Sequence, residues 1–368
     1  MKILGIDTIL HDVCVAVTEN NQVVLSNVVR HTIMKSDRLY DLVDLHLNQV
    51  GLAIKEALIK SRCKMEDISL ISVNNFGSFF SNVLVGLTAA EILASVFNKP
   101  LIQVHHQEAH YFSNWLERST KDFNFPVLVL SSSGGHSSIV KILNNRFEFK
   151  ELFRIDAMKK KSKDKPDFKG IGAVYSYLAN ALNIGGPIGS APVIAEYAKK
   201  GNKEKFDLIK EIGNFNITRL DFSKMERVIT KIIHKEKKKK SNLPQKFISD
   251  LSASFEECMG QLITSGLIRL ARKEKVKEIH LVGGISANDN LGKILKKSCL
   301  SQNFTFKCPV KKSYCTDNAA MIASLGYYRY KVLSAREKIK LLKEHKIKID
   351  SNLKLEQMAL NQRKKQNV

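Results

Sequence analysis

The same opening pattern occurs twice along the chain. Near the start, KILGID and VCVAV are short apolar runs with the look of paired strands, and QVVLSNV follows after Glu19-Asn20-Asn21. Further on, PVLVLSSS leads into SSIVKIL and FEFKELF, again three strand-like runs in succession. Each trio is followed by further β and α patterns. ISLISVN at 68–74 and LIQV after Pro100 read as strands in the first half, and EIHLVGG as a strand in the second. Apolar residues at helical spacing predict helices over about Tyr40 to Arg62, Ser81 to Phe97, 247–274 and Asp317 to about Leu333. A hairpin start followed by β and α elements, used twice, predicts a duplicated α/β unit with two lobes. The domains expected are 1–115, with the helix at about 317–333 packing back on it, then 116–316, and a charged tail over 336–368. A cleft between two such lobes is the expected ligand site, since clefts at domain interfaces often hold ligands.

A chain of 368 residues with 44% hydrophobic content can bury cores of this size. No apolar run approaches the roughly 20 residues that span a bilayer, so no membrane role is expected. The first residues enter a strand directly and lack a signal-peptide layout, which makes a cytoplasmic location the default expectation. Lys and Arg total 59 against 36 acidic residues, a formal net charge of +23. Such a surface attracts polyanions, and nucleic acid is the first partner to consider. A lysine-biased genome would inflate the charge as well. Two lysine-rich stretches, MKKKSKDKPDFK at 158–169 and HKEKKKK at 234–240, read as exposed loops carrying solvated charge or contacts to nucleic acid. None of the six cysteines forms a CxxC pair, which argues against a zinc ribbon and for free, mostly buried thiols.

Four segments carry residue types suited to chemistry. In VHHQEAH at 104–110, His106 and His110 stand four apart and share one face if the segment is helical. That spacing holds one divalent metal between two imidazoles, or is an ordinary surface pair. Glu108 follows His106 by two positions, about 200° around a helix, so the HExxH protease arrangement is not present. In SSSGGHSS at 131–138, small residues at a strand end let backbone N–H groups approach an anion, or simply form a β-turn. IDTILHD at 6–12 places Asp7, Thr8 and Asp12 around a comparable turn. In LVGGISANDN, Asn288 follows two glycines and suits either a helix cap or a substrate contact. In YCTDNAAMIASLGYYRY, Asp317 sits at an expected helix start, where capping alone would explain a carboxylate.

Together the four segments resemble the tRNA N(6)-adenosine threonylcarbamoyltransferase family, known as TsaD in bacteria. VHHQEAH matches its HHxExH element, SSSGGHSS its SGGHT, VGGISAN its GGVSAN and CTDNAAMIA its CTDNxAMIA, in the same order. The resemblance implies the duplicated actin-like fold of the ASKHA class, built on ribonuclease H-like units. It implies one divalent ion, Fe(2+) or Zn(2+), on His106, His110 and Asp317. It implies an adenylate-bearing substrate, threonylcarbamoyl-AMP with ATP as an alternative, held by Ser131, Ser132, Ser133, Gly134 and Gly135. Asn288 would be a further contact. The group transferred is threonylcarbamoyl, and the acceptor is the adenosine beside the anticodon in tRNAs that read codons beginning with A. Asp12 is the candidate to orient or deprotonate the attacking amine. The resemblance also implies protein partners: a small paralogue, an ATPase and a threonylcarbamoyl-AMP synthase.

Some family positions differ. The opening ETSCDET reads DTILHDV, with His11 at its central Asp and an acid kept at Asp12. GPG reads Phe76-Gly77-Ser78, and FSGLKT reads Phe222-Ser223-Lys224-Met225-Glu226-Arg227. GExxDK reads Gly172 to Tyr177, with Ser176 at the nucleotide-contacting Asp and Tyr177 at the Lys. PGGP aligns either on Gly185-Gly186-Pro187 or on Ser190-Ala191-Pro192, which leaves Gly186 as one candidate contact. These departures keep two alternatives open: a non-catalytic paralogue that serves as a scaffold, and an O-carbamoyltransferase of a small hydroxylated molecule.

Overall fold

The computed structural model describes residues 1–9, 12–31, 39–76, 80–133, 136–145, 147–156, 170–185, 190–239 and 242–343. The chain forms two compact units, one of residues 1–122 with the segment from Pro309 onward, the other of residues 123–308. The lysine-rich stretch at 158–169 and most of the tail lie outside the described residues.

The first unit holds β1 (Lys2–Ile9), β2 (Asp12–Glu19), β3 (Val23–His31), α1 (Leu39–Ser61), β4 (Ile68–Phe76), α2 (Phe80–Val96), β5 (Leu101–His105) and α3 (His106–Phe112). Its sheet has the order β3-β2-β1-β4-β5. The β1–β2 and β2–β3 pairs are antiparallel, and β1–β4 and β4–β5 are parallel. In the second unit, β6 (Val127–Ser133), β7 (His136–Ile142) and β8 (Phe149–Asp156) precede α4 (Ile171–Ala181), α5 (Ser190–Ala198), α6 (Leu208–Ile212) and α7 (Ser223–Lys237). Then come α8 (Gln245–Lys273), β9 (Glu278–Val282), α9 (Asp289–Ser301) and β10 (Thr305–Lys307). The sheet order is β10-β9-β6-β7-β8, with β6–β7 and β7–β8 antiparallel and β6–β9 and β9–β10 parallel. Written from the long-connection edge, both sheets follow the same order, third-second-first-fourth-fifth. The repeat read in the sequence is therefore a repeat of topology.

The chain returns to the first unit through α10 (Ala319–Lys331) and α11 (Ala335–Lys343). Strand β1 is buried on both faces, as central strands covered on two sides are. Leu4 and Ile6 join the core under α1 and α2, while Ile3 packs with Leu70, Ala323 and Tyr327 on the α10 side. A small-residue seam lets α10 settle closely. A Cβ on Gly5 would lie 2.2 Å from the Ala319 carbonyl oxygen, and one on Gly326 would lie 2.3 Å from Ser72 Oγ. This contact sets the start of α10 directly on β1.

The unit boundaries fall at 122/123 and 308/309, not at 115/116 and 316/317 as the sequence pattern suggests. The reason is local. Trp115 and Leu116 are fully buried, and Asn21 Nδ2 donates to the Trp115 carbonyl at 2.7 Å. Glu117 N donates to Asn21 O at 3.2 Å, and Lys311 Nζ reaches Glu117 at 2.6 Å. Both flanks are thus tied to the first unit. The stretch at 234–240 also differs from the loop reading, because its first residues continue α7 through Lys237.

Candidate metal centre and substrate-facing strand ends

Strand β5 ends at His105, whose ring Nδ1 accepts from Gln107 N at 3.1 Å and so caps α3. That cap starts a helix whose seven residues are all buried. His106 and His110 then fall on one face, with ring centroids 4.8 Å apart. Asp317 arrives from the other end of the chain. The cap of α10 is Asn318, whose Oδ1 accepts from Met321 N at 3.1 Å. Capping therefore does not occupy Asp317, and its carboxylate turns to the histidines instead. Asp317 Oδ1 lies 3.1 Å from His110 Nε2 and 3.5 Å from His106 Nε2.

These three residues form a candidate metal-ligand group among the described residues, with donor atoms within 4.8 Å of one another. The donor set fits a divalent ion. Ligands about 2.1 Å from a tetrahedral metal sit roughly 3.4 Å apart, close to the two spacings measured. His110 is buried, with Nε2 facing Asp317 and Nδ1 without a hydrogen-bond partner among the described residues. Asp317 keeps 26% of its side chain exposed, which leaves one side of the site open to a further ligand.

One residue of this centre is absent from the ligand set read in the sequence. Asp7, fully buried at the end of β1, places Oδ2 2.9 Å from His106 Nδ1. Its Oδ1 accepts from Asn74 Nδ2 at 2.9 Å. A carboxylate behind a ligating imidazole fixes its tautomer and turns the other nitrogen outward, and such partners tune metal affinity. The available signal was a lone acid closing an apolar strand. Thr8, next along, donates to Asn82 O at 2.7 Å and accepts from Gly86 N at 3.1 Å, which pins α2 to β1.

The electrostatics follow from this crowding. Burial works against a charged His106, but Asp7 and then Asp317 outweigh it and push its pKa up to about 10. Burial also opposes the Asp317 carboxylate, yet His106 and His110 hold it well below the usual carboxylate range. A divalent ion bound there would compete with this proton. Cys14 is held neutral by burial, then by Asp7, Asp12 and Asp317, so it stays a thiol. Its Sγ lies 3.8 Å from the Asp317 carbonyl oxygen. Asp12 belongs to the same acidic neighbourhood, and its Oδ1 pairs with His31 Nδ1 at 2.6 Å.

In the second unit, Ser131, Ser132 and Ser133 close β6, and Ser132 Oγ and Ser137 Oγ are 2.9 Å apart. The turn after β9 runs beside them. Gly283 has φ +78°, and a Cβ there would lie 2.6 Å from Ser132 O, so only glycine permits this approach. Two parallel strands thus end side by side in small residues, the arrangement in which open α/β sheets bind ligands. Gly134, Gly135 and Gly186 lie outside the described residues. Asn288 caps α9 through Leu291 N at 3.0 Å, and its Nδ2 donates to Glu256 at 2.8 and 3.0 Å. Of its two sequence-level roles, the cap is the one the geometry displays. Ser176 lies half-buried on α4, beside Tyr175, whose hydroxyl joins the Asn288–Glu256 cluster.

The profile of one family, TsaD: tRNA N6-adenosine threonylcarbamoyltransferase, matches residues 42–324. The chain belongs to this family. It is 31% identical to the tRNA N6-adenosine threonylcarbamoyltransferase of Thermodesulfovibrio yellowstonii, over 90% of this chain and 95% of the relative. It is 30% identical to the Bacillus subtilis enzyme of the same name, over 89% of this chain and 90% of the relative. Two solved structures share the fold. HypF of T. kodakarensis aligns with a TM-score of 0.57 and 16% identity over 92% of this chain and 48% of its own. Component A of the Acidaminococcus fermentans (R)-2-hydroxyglutaryl-CoA dehydratase aligns at 0.51 and 13%, over 90% and 99%. The fold is the duplicated actin-like α/β fold of the ASKHA class, in agreement with the repeated strand order.

Proposed function

We propose that this chain transfers a threonylcarbamoyl group from threonylcarbamoyl-AMP to the N6 amine of the adenosine beside the anticodon in tRNAs that read codons beginning with A. Membership of the threonylcarbamoyltransferase family supports the reaction. The observation that carries the catalytic reading is the convergence of His106, His110 and Asp317, backed by Asp7. A scaffold has no need of a buried, charge-balanced donor set, so the non-catalytic paralogue is disfavoured. The family match disfavours a small-molecule O-carbamoyltransferase.

His106, His110 and Asp317 would hold one Fe(2+) or Zn(2+) ion. When bound, such an ion supplies Lewis acidity toward carbonyl or phosphate oxygens. The chain's own residues do the rest. Asp7 keeps the proton of His106 on Nδ1, so Nε2 presents its lone pair. Ser131–Ser133, with Gly134 and Gly135 beyond the described residues, are our candidates to hold the charged anhydride, with ATP as an alternative occupant. Asp12 is our candidate to orient the attacking amine or accept its proton, with His31 holding the carboxylate. Ser176 and Gly186 are proposed as contacts to the nucleotide, and Ser176 cannot supply the charge of an acid there.

No described helix is long and apolar enough to cross a membrane. We place the reaction in the cytoplasm, with tRNA as macromolecular substrate and a small paralogue, an ATPase and a threonylcarbamoyl-AMP synthase as partners. The exposed apolar residues Leu47, Leu52 and Ile59 of α1 and Ile92 and Val96 of α2 give the first unit a surface suited to a protein partner. The test is nucleoside mass spectrometry of tRNA from a strain lacking this chain. Threonylcarbamoyladenosine should vanish and return with the parent sequence but not with His106→Ala/His110→Ala. Normal levels in the deletion strain, with no second copy present, would overturn the proposal.

A further inference from the structure

Helix α7 carries a row of cations whose spacing is helical. Lys224, Arg227, Lys231, Lys235 and Lys238 follow one another at intervals of three or four residues, and all are exposed. At about 100° per residue they fall within an arc of roughly 80° and along about 21 Å of axis. The opposite side is apolar: Met225, Ile229 and Ile233 are buried in the second unit's core. The two acids of the helix, Glu226 and Glu236, lie off the row, about 200° and 120° around from Lys224. Among the described residues, no carboxylate is within ion-pair reach of Lys231, Lys235 or Lys238, whereas Glu236 is paired with Lys239 at 3.8 Å.

The row begins at a cavity of about 210 Å³ lined by Arg219, Lys224, Arg227, Asn216, Asp221 and Ser223. The one carboxylate lining it, Asp221, is engaged by its neighbour: Oδ1 accepts from Ser223 N at 3.0 Å and from Ser223 Oγ at 2.6 Å. Lys224 Nζ is fixed by donation to Ile212 O at 2.6 Å. Arg219 and Arg227 remain as exposed guanidiniums at the cavity, the side chain best suited to bidentate contact with phosphate oxygens.

We propose that the α7 row and the Arg219/Arg227 cavity form the surface that grips the phosphate backbone of tRNA. The inference rests on the reading that tRNA is the substrate, and it adds where the polyanion is held. A lysine-rich composition alone scatters charge. Here Lys224, Arg227, Lys231, Lys235 and Lys238 sit on one stripe with Glu226 and Glu236 displaced and only Lys237 of the helix's lysines on the far side, which is the footprint of a phosphate-tracking helix. Phosphate contacts position a nucleic acid without reading its sequence, so this surface would serve several tRNAs alike.

The test is tRNA binding by the full-length chain as a function of salt. Each phosphate contact contributes a slope of about −0.9 in a plot of log K against log salt for duplex and about −0.7 for single strands. The variant Arg227→Gln/Lys231→Gln/Lys235→Gln/Lys238→Gln changes exposed residues only, and circular dichroism checks that it folds. Its slope should be shallower than the parent's by about 3, the sum of four such contacts. A control, Lys273→Gln/Lys293→Gln/Lys296→Gln/Lys297→Gln, removes the same charge from exposed positions on α8 and α9 and should leave the slope within about 1 of the parent's. Equal loss in both variants, or no loss in the α7 variant, overturns the proposal while tRNA binding by the parent still stands. A parent that binds no tRNA at low salt overturns the proposal together with the reading on which it rests.

Discussion

Replacing Asp7 by Ala removes the carboxylate that orients His106 without touching a ligand atom. The residue is fully buried, and it accepts from both His106 Nδ1 and Asn74 Nδ2 at 2.9 Å. The variant removes the acceptor of two buried N–H bonds, at about 1–3 kcal/mol for each that finds no other partner. It also frees the His106 ring to rotate and takes a negative charge from behind the proposed ion site. Loss of such an outer partner lowers metal affinity by about 10- to 100-fold, or roughly 1.4–2.7 kcal/mol. The assay is competition of the folded variant for Zn(2+) against a chromophoric chelator, beside the parent, Asp7→Asn and His106→Ala. Asn keeps an acceptor but not the charge, so its affinity should fall between parent and Asp7→Ala, while His106→Ala should lose most. A folded Asp7→Ala chain whose dissociation constant stays within about twofold of the parent's would refute the orienting role.

Three further outcomes are expected. Arg329 and Glu108 form a buried pair that ties α10 to α3. Arg329→Met strands the carboxylate and should cost about 3–5 kcal/mol by urea denaturation. Glu108→Leu/Arg329→Met should recover most of that loss; a double variant no better than the single one would contradict the pairing. Glu278, fully buried, is contacted by His280 at 2.6 Å and Lys307 at 2.9 Å. Burial raises its pKa, but His280 and then Lys307 prevail and bring it to about 2, below the ordinary 4.5. The stabilisation is thus present in full above pH 4.5 and lost as pH falls toward 2. Glu278→Gln should be less stable than the parent at pH 7 by on the order of 2–3 kcal/mol, with the gap closing near pH 2; a gap that is constant with pH would count against the linkage. Gly5→Val should push α10 off β1, because its Cβ would meet Ala319 O at 2.2 Å. Both the melting temperature and metal affinity should fall; loss of neither would show that the seam does not set Asp317.

Much of the architecture was legible because it is written in local periodicity. The strand trios lie within about three residues of their predicted spans, and the long helices α1, α2 and α8 within a residue or two. Strand β10 was not, since TFK is too short to show alternation. The lysines of 234–237 read as a charge run because they mask the buried Val228, Ile229 and Ile233 that make α7 amphipathic. The pair on α3 was legible from its spacing of four. The role of Asp317 was not legible from spacing, and turned on whether it or Asn318 caps α10, which only the backbone decides. Asp7 was noted for its turn and not for its contact, because a hydrogen bond across 99 residues leaves no local pattern. The domain boundaries moved for a similar reason: Asn21 and Glu117 stitch loop to loop, and no periodicity announces that.

The central claim is that two imidazoles of α3 and the carboxylate before α10 hold one catalytic cation. It is tested most directly by the metal content of the anaerobically purified chain, measured by mass spectrometry beside that of Asp317→Ala. The account predicts about one equivalent of iron or zinc in the parent, the loading of a single two-His, one-carboxylate site, and a large loss in the variant. A parent that stays empty after exposure to both metals, or an Asp317→Ala chain that binds as well as the parent, would contradict it.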